Sequence, residues 1–153
     1  MLLTVHAATG VLIGQKVKYW WLAFIIAFIV HFIMDIIPHG DHKMIENYRT
    51  KKSRQIIESI VIDSIICFGF SLFWLIKSAY SAQTFIIMAA AIFGSVLPDM
   101  LVGIHELKPK LLKYFNKVHF FFHDLIPTKK IGLISGLVIQ VGVLVFLLTL
   151  YNF

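Results

Sequence analysis

Long apolar runs, separated by loops in which charged residues collect, dominate the pattern of hydrophobic and polar positions along the chain. Four of the runs cover residues 19–37, 55–76, 84–103 and 131–151. Each is roughly 20 residues long, enough for a helix to cross the ~30 Å hydrocarbon core of a bilayer. A fifth run, residues 2–14, is short for a span, and we expect a short or partly inserted helix there. The pattern predicts an all-α polytopic membrane helix bundle with four to five membrane helices plus one interfacial helix.

Composition supports this interpretation and narrows the class of protein. The chain has 153 residues, of which 59% are hydrophobic and only 14% charged, whereas a soluble domain is about half apolar and about a quarter charged. We therefore expect residues 1–153 to form one integral-membrane domain. The net charge of +6 indicates membrane topology and contact with anionic lipid, so no nucleic-acid partner is expected.

The distribution of positive charge predicts an orientation in the cell (inner) membrane. All but three of the 14 lysines and arginines lie in the loops 43–54 and 108–130, the exceptions being Lys16, Lys18 and Lys77. The positive-inside rule places these two loops in the cytoplasm. With five membrane segments the N-terminus is also cytoplasmic; if residues 2–14 do not cross, it lies outside.

His31, Asp35 and His39 form the most informative polar pattern in the chain. Their i, i+4, i+8 spacing puts them on one face of a helix, at the end of a predicted span. Imidazole and carboxylate groups are ordinary ligands of zinc and similar metals. An ionisable residue at membrane depth is expensive, so a functional role is the default hypothesis. His42 competes with His39 as the third ligand.

The remaining ionisable residues of the apolar runs fall near the same depth. At 1.5 Å per residue, His31, Asp63 and Asp99 lie roughly 9, 12 and 6 Å from the cytoplasmic edge. His6 lies at the same end, whereas the other half of the predicted spans has few polar residues, Ser71 and Gln140 among them. One site is therefore expected to combine His31, Asp35 and His39 with four further metal ligands, His6, Asp99, His119 and His123, and Asp63 is expected to lie beside them as a candidate catalytic residue.

Two local patterns refine this site. His119 and His123 are spaced i, i+4, and residues 114–126 are expected to form an interfacial helix that points both rings towards the core of the bundle. Asp99 follows Pro98, which cannot donate a backbone hydrogen bond, so we expect the helix to be kinked or interrupted beside this carboxylate.

Short motifs resemble two families. His31, Asp35, Pro38 and His39 form a string similar to one in the zinc-dependent phospholipase C and single-strand nuclease superfamily, where such a string serves a zinc cluster. The whole chain resembles the YdjM-like family of small inner-membrane metal-dependent hydrolases, at His6, Pro98-Asp99 and the His119/His123 pair. The resemblance implies metal binding more directly than it implies a substrate.

The ligand types suit Zn²⁺ best and also accept Mn²⁺ or Fe²⁺, and more than four candidate ligands indicate two or more ions. The leading hypothesis is a metal-dependent hydrolase, with a phosphoesterase favoured, that acts on a membrane lipid or lipid-linked phosphate at the cytoplasmic leaflet. Asp99 or Asp63, whichever is not a ligand, is the candidate general base. Lys43, Arg49 or Lys117 could neutralise the phosphoryl oxygens.

Two alternatives stay open at this stage. The first is a transporter or channel for divalent metal ions or protons, since intramembrane histidine and aspartate chains also serve that role. The second is a non-enzymatic lipid-binding protein with a structural metal, for which a closed coordination sphere would be expected.

Overall fold

The described part of the chain is helical. The structure, a computed structural model, describes residues 1–40, 54–79, 81–126 and 131–151. These residues contain no strand and form six helices: α1 (Leu3–Lys16), α2 (Trp20–Asp35), α3 (Arg54–Lys77), α4 (Ala82–Leu107), α5 (Lys113–His123) and α6 (Leu133–Thr149). The predicted all-α class is confirmed.

Helix α1 is the central element of the bundle. Every residue from 4 to 11 is buried, because α1 packs against α2, α3, α4 and α6. Close approach depends on small residues: a Cβ atom at Gly10 would lie 2.6 Å from Ser95 Oγ on α4. The run that is too short for a span is therefore a short helix surrounded by protein.

Two helices are long and apolar enough to cross a membrane, Glu58–Lys77 within α3 and all of Ala82–Leu107. Within the described residues this is fewer than the four to five spans predicted, since α2 and α6 have 16 and 17 residues. A 16-residue helix rises about 24 Å. Helix α2 starts after Tyr19, whose backbone is extended, and ends just before Pro38, a residue type that disfavours helical backbone in its predecessor.

The outer surface of the bundle is apolar. On α3, Ile65, Phe68 and Ile76 expose 66%, 71% and 67% of their area, and similar side chains cover the outside of α6. Exposed apolar surface on this scale is typical of a protein that contacts lipid or another apolar partner.

The packing of α4 brings the site together. Helix α4 lies against α2 along its length, with Gly94 so close to the Phe24 carbonyl that an added Cβ would lie 2.6 Å from it. The helix continues through Pro98, so of the two predicted forms, kinked or interrupted, the interruption is wrong. Helix α5 packs on both α2 and α4. Four helix segments therefore meet at one end of the bundle: the start of α1, the end of α2, the last turns of α4, and α5.

Candidate metal centre

Four buried or half-buried side chains converge at this end, and we call them the His/Asp cluster: His31, Asp35, Asp99 and His119. One ligand atom from each lies within 4.8 Å of the others. Asp35 Oδ2 is 3.0 Å from His31 Nε2 and 3.5 Å from His119 Nε2. Asp99 Oδ1 lies 3.6 Å from each of the same two nitrogens.

Helix spacing and helix packing each supply part of the cluster. His31 and Asp35 are one turn apart on α2, so they share a face, while Asp99 comes from α4 and His119 from α5. Phe32 helps to fix α5 in place, since its ring lies 5.8 Å from His119 and 5.3 Å from Phe122 between centroids.

The orientation of His31 exposes a lone pair to the cluster. Its Nδ1 atom lies 2.7 Å from the Ser95 carbonyl, which can only accept, so Nδ1 donates and Nε2 is the basic nitrogen of the neutral ring. Nε2 then faces Asp35 Oδ2 at 3.0 Å. Within the described part of the chain both atoms are buried without a hydrogen bond. Either a proton on Nε2, which makes the contact an ion pair, or a bound cation would satisfy both atoms.

The other oxygen of Asp35 is used differently. Asp35 Oδ1 lies 3.1 Å from His6 Nε2 and 3.2 Å from the amino group of Met1. The His6 ring also stacks on His31, with centroids 3.9 Å apart. His6, predicted as a ligand, thus lies beside the cluster as a hydrogen-bond partner of Asp35, outside the group of four.

Burial is unequal across the cluster. His31 and Asp35 are at most 1% exposed, and His119 is 3% exposed, whereas the side chain of Asp99 is 22% exposed. Burial lowers the pKa of His119 to about 4, so its ring is neutral near pH 7, the form that binds metal. Asp99 is therefore the member of the cluster that is most accessible from outside.

Two other predicted ligands, His39 and His123, meet next to the cluster. Their Nε2 atoms are 2.9 Å apart, and both rings are buried. His39 Nδ1 donates to the Ile37 carbonyl at 2.6 Å, so its Nε2 is the basic nitrogen of the neutral ring. His123 lies one turn after His119 on α5, which connects this pair to the cluster. Both histidines of α5 point inward, as predicted.

Helix α6 holds His39 through residues whose role the sequence did not reveal. Gln140 Nε2 donates to the His39 carbonyl at 3.0 Å, and its Oε1 accepts from the Leu2 backbone N–H at 2.7 Å. A Cβ atom at Gly136 would collide with the same His39 carbonyl. Gln140 therefore lies beside His39 and not in the opposite half of the bundle, where its sequence depth placed it. The only sign of this role in the sequence was that Gln140 is a single amide side chain within an apolar run.

Asp63 has partners of its own at the start of α1. Its carboxylate accepts from Leu3 N at 2.6 Å, and from Thr4 N and Thr4 Oγ1 at 3.4 and 2.7 Å. A carboxylate at a helix N-terminus satisfies unpaired N–H groups and favours the helix dipole. The structure thus places Asp63 as a cap for α1, outside the group of four.

Of the three predicted phosphate-binding residues, the structure describes one. Lys117 is exposed on α5, while Lys43 and Arg49 lie outside the described residues, as does His42, the competitor of His39.

The cluster His31-Asp35-Asp99-His119 can hold a metal ion, because its neutral imidazoles and carboxylates supply donor atoms of the right type at converging positions.

Comparison with known proteins adds no relative. No protein-family model matches the chain, and neither the curated proteins nor the solved structures give a significant match.

Proposed function

We propose that this chain is a membrane-embedded, metal-dependent hydrolase, with a phosphoesterase favoured. The single observation that carries the proposal is the convergence of His31, Asp35, Asp99 and His119, whose ligand atoms all lie within 4.8 Å of one another. A divalent cation held by His31, Asp35 and His119, with Asp99 next to it and not coordinating, would offset the buried charge of Asp35.

The proposed membrane placement is multi-pass, in the cell membrane, with the cluster at the cytoplasmic face. Two helices of sufficient length and the apolar outer surfaces of α3 and α6 support it. Helices α2 and α6 span with help from the residues that follow them, and α5 lies at the interface. Exposed Tyr114 and Phe121 on α5, opposite its buried histidines, are typical of such a helix.

The proposed metal is zinc, with manganese or iron accepted by the same ligands, because the donors are imidazole and carboxylate without thiolate. A second ion is proposed at His39 and His123, whose Nε2 atoms are 2.9 Å apart. Donation from ligand imidazoles to the Ser95 and Ile37 carbonyls matches the outer-sphere hydrogen bonds that orient histidine ligands in metal sites.

Bound divalent ions supply Lewis acidity and lower the pKa of water to near 7. In the proposed mechanism, Asp99 accepts the proton from the attacking water, since it is the most accessible carboxylate of the cluster at 22% exposure. His6 orients Asp35 through its 3.1 Å contact. Asp63, the other candidate base, hydrogen-bonds to α1, which supports a positioning role for it.

The proposed substrate is a membrane lipid or a lipid-linked phosphate. A site at the end of an apolar bundle lies at the depth of lipid headgroups, where such a phosphate can approach without leaving the bilayer. Lys117, exposed on α5, is proposed to neutralise phosphoryl oxygens, as are Lys43 and Arg49, which lie outside the described residues.

A structural metal is the second candidate, because His31, Asp35 and His119 are nearly inaccessible and a closed site favours structure over catalysis. Transport has less support. In the described residues every buried acidic or histidine side chain lies at this one end of the bundle, which leaves no ionisable path through α1 to the other end.

Two measurements on the purified full chain test the proposal. Metal content is expected to reach at least one ion per chain and to fall in His31→Ala. Phosphate release from phospholipids and isoprenoid phosphates, with Zn²⁺ or Mn²⁺ present, is expected to fall about 100-fold or more in Asp99→Asn, the usual loss on removing a general base.

Glu58→Gln is the control, because it removes the charge of an exposed carboxylate on α3, and it should keep full activity. Metal bound with no difference in hydrolysis between wild type and Asp99→Asn would favour the structural metal. Absence of metal from both wild type and His31→Ala would remove the basis of the proposal altogether.

A further inference from the structure

A separate concave site lies at the end of the bundle opposite the His/Asp cluster. It is a cavity of about 570 Å³, formed by the end of α1, the end of α3 and the start of α4. The nine residues from His6 to Gln15 along α1 correspond to about 14 Å, so the cavity and the cluster are distinct.

The polar groups of this cavity suit an anion. Lys18 and Lys77 lie at its rim, exposed, together with the amide of Gln83. No acidic residue is among the described side chains that line it. Two ammonium groups around one depression create a positive potential that favours a negatively charged group.

The floor of the cavity is apolar and well packed. Trp74, Ile87 and Met88 are at most 6% exposed, and Lys77 Nζ lies 5.1 Å from the centre of the Trp74 ring. Such a floor suits the carbon atoms of a ligand, while the rim suits its charge.

Hydrogen bonds fix the wall formed by the α3–α4 connection. Thr84 Oγ1 donates to the Ser78 carbonyl at 2.8 Å, and Thr84 N donates to Ser81 Oγ at 3.1 Å. Gly14 brings α1 against α4, since an added Cβ would lie 3.0 Å from the Met88 sulfur. The cavity is therefore a built feature of three helix ends.

Apolar surface adjoins the cavity on two sides. Phe73 and Ile76 on α3 are 56% and 67% exposed. On the other side a depression of about 360 Å³ shares Lys18 with the cavity and extends it to Tyr19 and Trp20. A ligand with one anionic group and long hydrocarbon chains matches this combination of a cationic rim and apolar flanks.

We propose that this cavity binds the phosphate group of an anionic phospholipid, with Lys18 and Lys77 as its cationic contacts and the acyl chains along the apolar flanks. The inference rests on the membrane placement of the proposed function and does not use its metal chemistry. A free phosphate ion has the same charged group without the chains, and the experiment separates these two sources.

The test uses the full chain purified in detergent and native mass spectrometry with added lipid. Phosphatidylglycerol is expected to bind more tightly than phosphatidylcholine with the same acyl chains. The double variant Lys18→Gln/Lys77→Gln should lose about ten-fold in phosphatidylglycerol affinity, as expected for two cations near a lipid phosphate. Excess inorganic phosphate should not displace the lipid; displacement would identify a free-phosphate site and overturn the lipid assignment.

The matched control is Lys110→Gln/Lys113→Gln, which makes the same charge change at exposed positions near the start of α5 and should retain wild-type affinity. Equal losses in both double variants, or equal binding of the two lipids by wild type, would overturn the proposal. If the first variant does not fold, Lys18→Arg/Lys77→Arg must keep lipid binding. Every variant is expected to bind metal as the wild type does. A loss of lipid binding with metal binding retained therefore concerns this cavity and not the proposed hydrolase site.

Discussion

The two ends of the bundle differ in both the sign and the burial of their polar groups. At one end, Asp35 and three histidines around it are almost inaccessible. At the other, Lys18 and Lys77 stand at the rim of an open cavity without an acidic lining residue in the described part of the chain. Helix α1, whose residues 4–11 are buried, runs from the first end to the second.

This difference teaches how the same fold can support two kinds of binding. Buried carboxylates and imidazoles are costly unless they are paired or coordinate metal, so the first end requires exact positions and outer hydrogen bonds, such as His31 to Ser95. Exposed ammonium groups stay hydrated at little cost. The second end therefore needs only a shaped rim, and we expect it to tolerate substitution better.

The largest effect is expected from Asp35→Asn, which keeps the shape of the side chain and removes its charge. A divalent ion at 100 times its Kd stabilises a protein by about 2.7 kcal/mol per site, and the part of the rise in thermal stability that comes from the ion at the cluster should disappear. The measurement is thermal unfolding in detergent, with Zn²⁺ and with a chelator. Glu58→Gln should keep the rise; an unchanged rise in Asp35→Asn would show that the ion binds elsewhere.

A smaller effect is expected from Gly136→Ala on α6, because the new methyl group meets the His39 carbonyl. Overpacking of this kind costs about 1–3 kcal/mol, and the displaced histidine should also weaken metal binding. Gly142 lies on the same helix with nothing within 4 Å of an added Cβ, so Gly142→Ala should stabilise by about 0.5–1 kcal/mol. Equal unfolding temperatures for the two variants would contradict the close contact.

The smallest effect concerns the independence of the two ends. Lys18→Gln/Lys77→Gln should change metal affinity by less than about two-fold, since distant sites without shared partners contribute additively. Isothermal titration with Zn²⁺ measures this, with Asp35→Asn as the reference for lost binding. A loss in the lysine variant comparable to that reference would mean that α1 couples the ends.

Part of the site could be predicted from spacing alone. The i, i+4 relations of His31 with Asp35 and of His119 with His123 hold in the structure, because helix geometry places such pairs on one face. The comparison of depths along the predicted spans placed Asp99 in the same predicted site. Helix length was less predictable: α2 and α6 are shorter than the apolar runs that contain them, because hydropathy does not register where the backbone leaves the helix.

Other roles were decided by packing between segments far apart in the chain. Asp63 and His6 have the residue types and depth of ligands, yet Asp63 bonds to Thr4 across 59 positions and His6 donates towards Asp35. Gln140 reaches His39 across 101 positions. No local pattern encodes which oxygen or nitrogen faces which partner.

The sequence by itself determined the all-helical class, the apolar surface and the set of histidines and acids that gather at one end, because these follow from hydrophobicity and helix periodicity. Only the tertiary structure decided that α1 is the core of the bundle, that four side chains form the group able to hold an ion, and that the lysines rim a separate cavity. The physical reason is that coordination and burial depend on the relative placement of whole helices, which close contacts at Gly10, Gly94 and Gly136 fix.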